Sequence, residues 1–288
     1  MSNQMRPLSE PDVIVLPDVA AVAEAAAERI ADGLAAAVER RGRADWVTTG
    51  GSTPIAIYPL LARGPLRARI PWDGVHLWWS DDRFVPRDHP LSNVFPAEAI
   101  LLSLSAHSGE SGEGEFGVDV DLGTEPGVHV PAGNVHPFPC TEAIARGAGP
   151  DWCAAAYHAV MREAPLRIVD DWPVFDVVLL GLGPDGHVMS VFPNSESFDS
   201  PAWAAGIPAP THVEPHVPRV TLNPHVLDVA TSVLMITTGA SKAEIVGRIF
   251  GPARDERALP GQLVRRAGVT WLLDQAAAAD MPEGIRTA

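Results

Sequence analysis

Four apolar runs in this chain, ending near Thr48, Trp79, Leu180 and Thr237, each lead into a short loop of small polar or charged residues: TGGST, SDDRF, GLGPDGH and TGASK. The run before the third loop, Val177-Val178-Leu179-Leu180, is β-branched or aliphatic throughout, the pattern of a strand covered on both faces. Such strands belong to parallel sheets, whose connections return through helices, so successive loops emerge at one edge. The expected fold is α/β: a mostly parallel, Rossmann-like sheet covered by helices on both faces, in a single domain. A length of 288 residues suits one large domain of this kind.

Along the chain, residues 12–16 read as a first strand and Asp18 as the cap of a helix reaching about Arg41, with apolar residues at helical spacing from Val19 to Val38. Residues 46–48, 75–79, 232–237 and 270–274 read as further strands. Helices are expected at 55–61, from Ser92 to Leu102, at 141–164 with a break at 147–150, at 224–228, from TGASK to Phe250, at 259–264, and in the alanine run that ends the chain. Residues 198–218 read as loop, and SDDRF as a polar turn. Residues 105–130 are rich in Gly, Ser and acids and lack periodicity, so a flexible surface insertion is expected there.

Each loop by itself has an ordinary reading. Ser52 and Thr53 cap a helix, Asp81-Asp82-Arg83 makes a solvated turn with an internal ion pair, and His187 is a surface histidine. Each has a chemical reading too. Gly51, Ser52 and Thr53 lead into a helix N-terminus, where N–H groups favour an anion. Arg83 suits forked contacts with phosphate. Asp185 and His187 are the titratable groups of a glycine-rich turn. Lys242 is the one lysine among 21 basic residues, beside another helix start. Gathered on one sheet edge, these groups suit a phosphorylated small molecule, with cations on the phosphate and a histidine near the reacting group.

Composition narrows the partners. A net charge of −15 argues against duplex nucleic acid, which needs clustered basic residues. Cys140 and Cys153 form neither a CxxC motif nor a disulfide framework, and no segment reaches the roughly 18 apolar residues of a membrane span. With no leader pattern at the N-terminus, a cytoplasmic protein without membrane contact is expected.

GGSTP at Gly50 to Pro54, DDRFVP with Ser92-Asn93, GLGPDGHVMSVFP at Gly181 to Pro193, RVTL at Arg219 to Leu222, TGASK and a late LP…W…D follow one another in an order that resembles the 6-phosphogluconolactonases. These lactone hydrolases of the oxidative pentose phosphate pathway share a superfamily with the glucosamine-6-phosphate deaminases. The resemblance runs from about Val13 to the C-terminus, apart from the acidic insertion. The family usually has Asp-Glu-Arg where this chain has Asp81-Asp82-Arg83, and Ala or Cys where Met189 stands.

The resemblance implies hydrolysis of 6-phospho-D-glucono-1,5-lactone to 6-phospho-D-gluconate. His187 would take a proton from the water that attacks the lactone carbonyl, and Asp185 would either orient His187 or cap its turn. Arg83 and Lys242, with Ser52 and Thr53, would hold the phosphate, while Gly51, Asp82 and Gly183 complete the substrate contacts. Backbone N–H groups of the glycine loops are the candidates for stabilising the oxyanion. No cofactor and no metal are implied, because an ester carbonyl is already electrophilic and zinc-binding spacings such as HExxH are absent. The protein is expected to act as a monomer or weak homodimer.

The nearest alternative is a glucosamine-6-phosphate deaminase. Those enzymes usually carry an aromatic residue where Arg83 stands and Asn-Glu-Pro where this chain has Ser190-Val191-Phe192-Pro193. A second alternative, a non-catalytic sugar-phosphate sensor, calls for a DNA-binding or partner module that this sequence does not display.

Overall fold

A computed structural model describes residues 10–102 and 127–285. In chain order the strands are β1 (Asp12–Leu16), β2 (Ala44–Thr48), β3 (Val75–Trp79), β4 (Asp81–Arg83), β5 (Val135–His136), β6 (Arg167–Val169), β7 (Trp172–Val174), β8 (Val177–Gly181), β9 (Ala204–Ile207), β10 (Arg219–Leu222), β11 (Val233–Thr237) and β12 (Val269–Asp274). The helices are α1 (Val19–Arg41), α2 (Ser52–Ala62), α3 (Gly64–Arg69), α4 (Val94–Pro96), α5 (Cys140–Ala145), α6 (Pro150–Glu163), α7 (Val226–Val229) and α8 (Ala243–Phe250). Local chemistry sets the ends of α1: Asp18 Oδ1 accepts from Ala21 N at 2.9 Å, and Gly42, with φ 70°, closes the last turn.

Seven strands form one sheet in the order β1-β12-β11-β8-β2-β3-β5, every neighbouring pair parallel. Every residue of β2 and β11 is buried, as are Val177 to Leu180 of β8. Successive strand residues point to opposite faces, so both faces of the sheet are covered, as its unbroken apolar runs require. Among the described residues no helix is long and apolar enough to cross a membrane.

From the centre of the sheet, β2, β3 and β5 step outward one way and β8, β11 and β12 the other, so the strand order reverses between β2 and β8. Loops part at such a point and leave a crevice beyond the carboxyl ends of the strands. β2 and β8 are bonded at Trp46↔Val177 and Val47↔Val178 and diverge from there. Their other ends are pinned. Asp45 N donates to Asp176 Oδ2 and Asp176 N to Asp45 O, each at 2.8 Å, while Arg41 and Arg167 reach the same Asp176 carboxylate at 2.6 and 3.1 Å.

Several elements depart from the sequence reading. SDDRF is no solvated turn: Asp81–Arg83 forms β4, antiparallel to β10, which also pairs with β9 in a three-stranded sheet. β9 lies within residues read as loop. β6 and β7 make a hairpin with Val169 opposite Trp172, and Asp170 and Asp171 take φ of 48° and 67°, as a two-residue hairpin turn demands. The alanine run after β12 forms turns rather than a tail helix, because the Asp274 side chain takes Ala277 N, and so short a segment cannot sustain helix propagation. Of the expected insertion at 105–130, residues 105–126 lie outside the described residues. In the part that follows, Val128 and Val130 are buried and His129 is exposed.

Candidate active site

Above the β2–β8 crevice lies a cavity of about 260 Å³, walled by the loops after β2, β8 and β11 together with β4, β10 and the segment carrying Val213 and Glu214. Of the residues singled out in the sequence, Gly51, Ser52, Thr53, Arg83, Gly183, His187 and Lys242 all line it. Seven positions from four separate stretches of chain thus converge on one space. Helix α2 begins at Ser52, earlier than its apolar pattern suggests, so Ser52 and Thr53 occupy the first turn and leave backbone N–H groups facing an anion site.

The histidine is held by its own turn. His187 Nδ1 lies 2.5 Å from Asp185 Oδ1, and His187 N donates to the same oxygen at 3.2 Å. Asp185 therefore both orients the ring and caps the turn. An ionised carboxylate accepts hydrogen bonds, which assigns the proton to Nδ1 and leaves Nε2 to exchange a proton with a substrate or water. Gly183 is required for this geometry, since a Cβ there would meet His187 Nδ1 at 2.1 Å. The ring also packs against Phe192 at 4.6 Å between centroids.

The other carboxylate oxygen, Asp185 Oδ2, lies 2.9 Å from His212 Nε2, so one aspartate bridges two imidazoles. Burial works to raise the Asp185 carboxyl. The hydrogen bond and charge of His187 and the bond from His212 outweigh that and hold it well below the usual carboxylate range. An aspartate that stays ionised is suited to steadying the imidazolium that forms when His187 accepts a proton.

Among the described residues, three cations face the cavity. Arg83 and Arg219 are direct cross-strand partners on β4 and β10, so their side chains project from one face. Backbone carbonyls aim both: Arg83 Nη1 donates to Leu91 O at 2.8 Å, and Arg219 Nη2 to Pro215 O at 3.0 Å. Lys242 Nζ donates to Leu182 O at 2.7 Å. Burial lowers the pKa of Lys242, opposed by the charge of Asp185. Burial, and then the neighbouring Arg83 charge, lower that of Arg219, against the pull of Asp81 and Asp82. A dianionic group would relieve the crowding of these charges. Among the described residues four buried side-chain polar atoms have no hydrogen-bond partner in the protein. Three of them, Arg83 Nε, Asn93 Oδ1 and Thr237 Oγ1, belong to residues of this cavity.

The two adjacent acids have different places. Asp81 lines the cavity, with Oδ2 accepting from Ser190 Oγ at 2.7 Å. Asp82 is not among the lining residues. Its Oδ1 accepts from Arg83 N at 2.8 Å and Asn93 N at 2.7 Å, and Oδ2 from Ser92 Oγ at 3.2 Å, so it builds the corner on which Arg83 stands. Burial, with the charge of Asp81, pushes the Asp82 carboxyl up to about 7 against its two backbone hydrogen bonds. Met189, at φ 56°, is a cavity residue in a left-handed conformation, so it shapes the wall through its backbone as well as its side chain.

Sequence reasoning missed His212 and Arg219 as members of this site, and of the acidic pair it took Asp82 rather than Asp81 as the substrate contact. His212 stands in a proline-rich stretch with no periodicity to place it. Arg219 opens an otherwise apolar strand, a position that signals a buried cation without saying what it faces. No group of three or more His, Cys, Asp or Glu among the described residues is arranged to hold a metal ion.

Comparison with known proteins bears on the whole chain. A family model described as glucosamine-6-phosphate isomerases/6-phosphogluconolactonase matches residues 17–272. The chain is 29% identical over 270 residues to a 6-phosphogluconolactonase of Nostoc sp., covering 93% of this chain and 98% of that one. It is 31% identical over 269 residues to a 6-phosphogluconolactonase of Mycobacterium tuberculosis, covering 93% and 97%. Among solved structures, the 6-phosphogluconolactonase from Trypanosoma brucei matches with a TM-score of 0.76 at 26% identity, over 96% of this chain and 100% of that one.

Proposed function

The chain belongs to the glucosamine-6-phosphate isomerase/6-phosphogluconolactonase family, and from that premise we propose that it hydrolyses 6-phospho-D-glucono-1,5-lactone to 6-phospho-D-gluconate, the lactonase step of the oxidative pentose phosphate pathway. The observation that carries this reading is an Asp185-oriented His187 in the same small cavity as Arg83, Arg219 and Lys242.

In this reading the three cations and the first turn of α2 hold the 6-phosphate, and binding at that remote group places the lactone carbonyl beside His187. His187 Nε2 takes a proton from water as the water oxygen attacks the carbonyl carbon. The imidazolium is steadied by Asp185, whose depressed pKa keeps it ionised. Collapse of the tetrahedral intermediate breaks the bond to the ring oxygen, and His187 returns its proton to that oxygen, so the base is regenerated. Backbone N–H groups of the glycine loops supply donors for the transient oxyanion. Asp81, rather than Asp82, is the acid available to a sugar hydroxyl, because it faces the cavity.

The test is hydrolysis of freshly generated 6-phosphogluconolactone, followed against its spontaneous rate, with glucosamine-6-phosphate run alongside. Wild type should accelerate lactone hydrolysis and leave glucosamine-6-phosphate unchanged, and His187→Ala should lose about 10²-fold or more of the acceleration with its melting curve intact. Equal rates for wild type and His187→Ala would remove the histidine from the mechanism.

A further inference from the structure

The late LP…W…D motif has no part in the chemistry above, yet the structure sets it behind the two turns that carry the base and the lysine. Gly261 N donates to Gly186 O at 2.7 Å, at the back of the His187 turn. Trp271 Nε1 donates to Val264 O at 2.7 Å and so ties β12 to the same segment. At the end of β12, Asp274 is 4% exposed and turns its carboxylate toward the loop after β11. Both oxygens lie 3.0 Å from Gly239 N, and Oδ1 also accepts from Ala277 N at 2.8 Å.

Register explains how the carboxylate arrives there. β11 pairs with β12 at Thr237↔Leu273, so Asp274 stands level with the first loop residue, Thr238, and one step from Gly239. Gly239 has φ 91°, a conformation glycine reaches without strain but does not hold without help. Its carbonyl accepts from Lys242 N at 3.0 Å and closes the turn at the head of α8, from which Lys242 extends Nζ to Leu182 O at 2.7 Å. A continuous chain of bonds therefore runs from Asp274 through Gly239 to Lys242. Asp274 is not a cavity residue, and its oxygens are committed to two backbone donors, so it acts through the turn and not on a ligand.

We propose that Asp274 is a positioning residue: by anchoring Gly239 N it fixes the turn that carries Lys242 and thereby sets the affinity of the cavity for the phosphate group of its substrate. The proposal rests on the reading of Lys242 as a phosphate contact. A charged acceptor on a glycine N–H is among the stronger hydrogen bonds in a protein, and its loss frees a turn whose positive-φ glycine has many alternatives.

The test compares Asp274→Asn, Asp274→Ala, Lys242→Ala and the double variant Asp274→Asn/Lys242→Ala. For each, kcat and KM on freshly generated 6-phosphogluconolactone are measured, with the Ki of inorganic phosphate as competitive inhibitor and the melting temperature. Asp274→Asn should raise KM and phosphate Ki in parallel by about tenfold while kcat changes less than about twofold. Asp274→Ala should raise both further, since asparagine keeps one acceptor oxygen. Adding Asp274→Asn to Lys242→Ala should raise KM by less than about twofold more, because the turn then carries nothing to position. A merely structural aspartate would lower the melting temperature and the active fraction while leaving KM and Ki unmoved, and that result overturns the proposal. Full multiplication of the two effects in the double variant overturns it too. The Lys242→Ala arm separates the two levels. Unchanged KM and Ki there remove the phosphate reading and the proposal together, whereas raised values there with an inert Asp274→Asn remove only the part of Asp274. Should Asp274→Ala fail to fold, the asparagine variant carries the comparison.

Discussion

Asp185 shows how much one side chain can decide. Its carboxylate holds His187 through one oxygen and His212 through the other, and it remains ionised despite partial burial. Asp185→Asn would present either an amide N–H or a poorer acceptor to Nδ1, so it should lower kcat by on the order of 10²-fold with a smaller change in KM, read by steady-state kinetics on the lactone. Asp82 makes a different prediction, on stability. Burial raises its folded-state pKa to about 7, above the ordinary aspartate value of 3.8. Protonated Asp82 therefore favours the fold, fully below about pH 3.8, and that contribution is lost as pH rises through about 7. Asp82→Asn, neutral throughout, should flatten the fall in stability between pH 4 and 7, measured by denaturant titration at each pH. A slope equal to that of wild type would show that Asp82 titrates normally. At this scale the sequence identified His187, Asp185, Arg83 and Lys242 by residue type and loop position. It could not rank Asp81 against Asp82, because neighbours on a strand point to opposite faces and residue type does not say which face meets the cavity.

At the scale of elements, β4 matters most. Three residues that look like a charged turn pair with β10, and that pairing sets Arg83 directly across from Arg219. Arg219→Lys keeps the charge but loses the planar fork, and it should raise KM by about tenfold while leaving kcat nearly unchanged. The turn after β8 is equally exacting. In Gly183→Ala the added Cβ falls on the His187 ring, 2.1 Å from Nδ1, so kcat should drop at least about tenfold. Gly133→Ala is the control: an added Cβ there meets nothing, so its kinetics should match wild type within about twofold. Apart from the two-residue β5, the strands of the main sheet were readable because continuous apolar runs need cover on both faces. The short β4, β5, β6, β7, β9 and β10 were not, since two to four residues carry no usable periodicity and depend on distant partners for their hydrogen bonds.

For the molecule as a whole, the site follows from a sheet that is fastened at one end and open at the other. β2 and β8 are joined at their amino ends by the bonds from Asp45 N to the Asp176 carboxylate and from Asp176 N to Asp45 O, and by Arg41 and Arg167, and they part at their carboxyl ends, where the cavity forms. Asp176→Ala removes the shared acceptor and leaves two arginines and Asp45 N without it. It should cost about 2–4 kcal/mol in denaturant titration, and KM should rise as the crevice loses its fixed width. The sequence by itself determined that this is a parallel α/β protein with its polar loops on one edge, because an apolar run and the loop after it are local patterns that parallel topology carries to the same side. It also determined the kinds of group that edge would hold, a base, cations and small residues near backbone N–H groups. Only the tertiary structure decided which of them meet. His212 reaches Asp185 from 27 residues away, Arg219 reaches Arg83 across a strand pair, and Asp82 turns inward while Asp81 turns to the cavity. Those choices depend on register and on what covers each face, and both are set by contacts between segments remote in sequence.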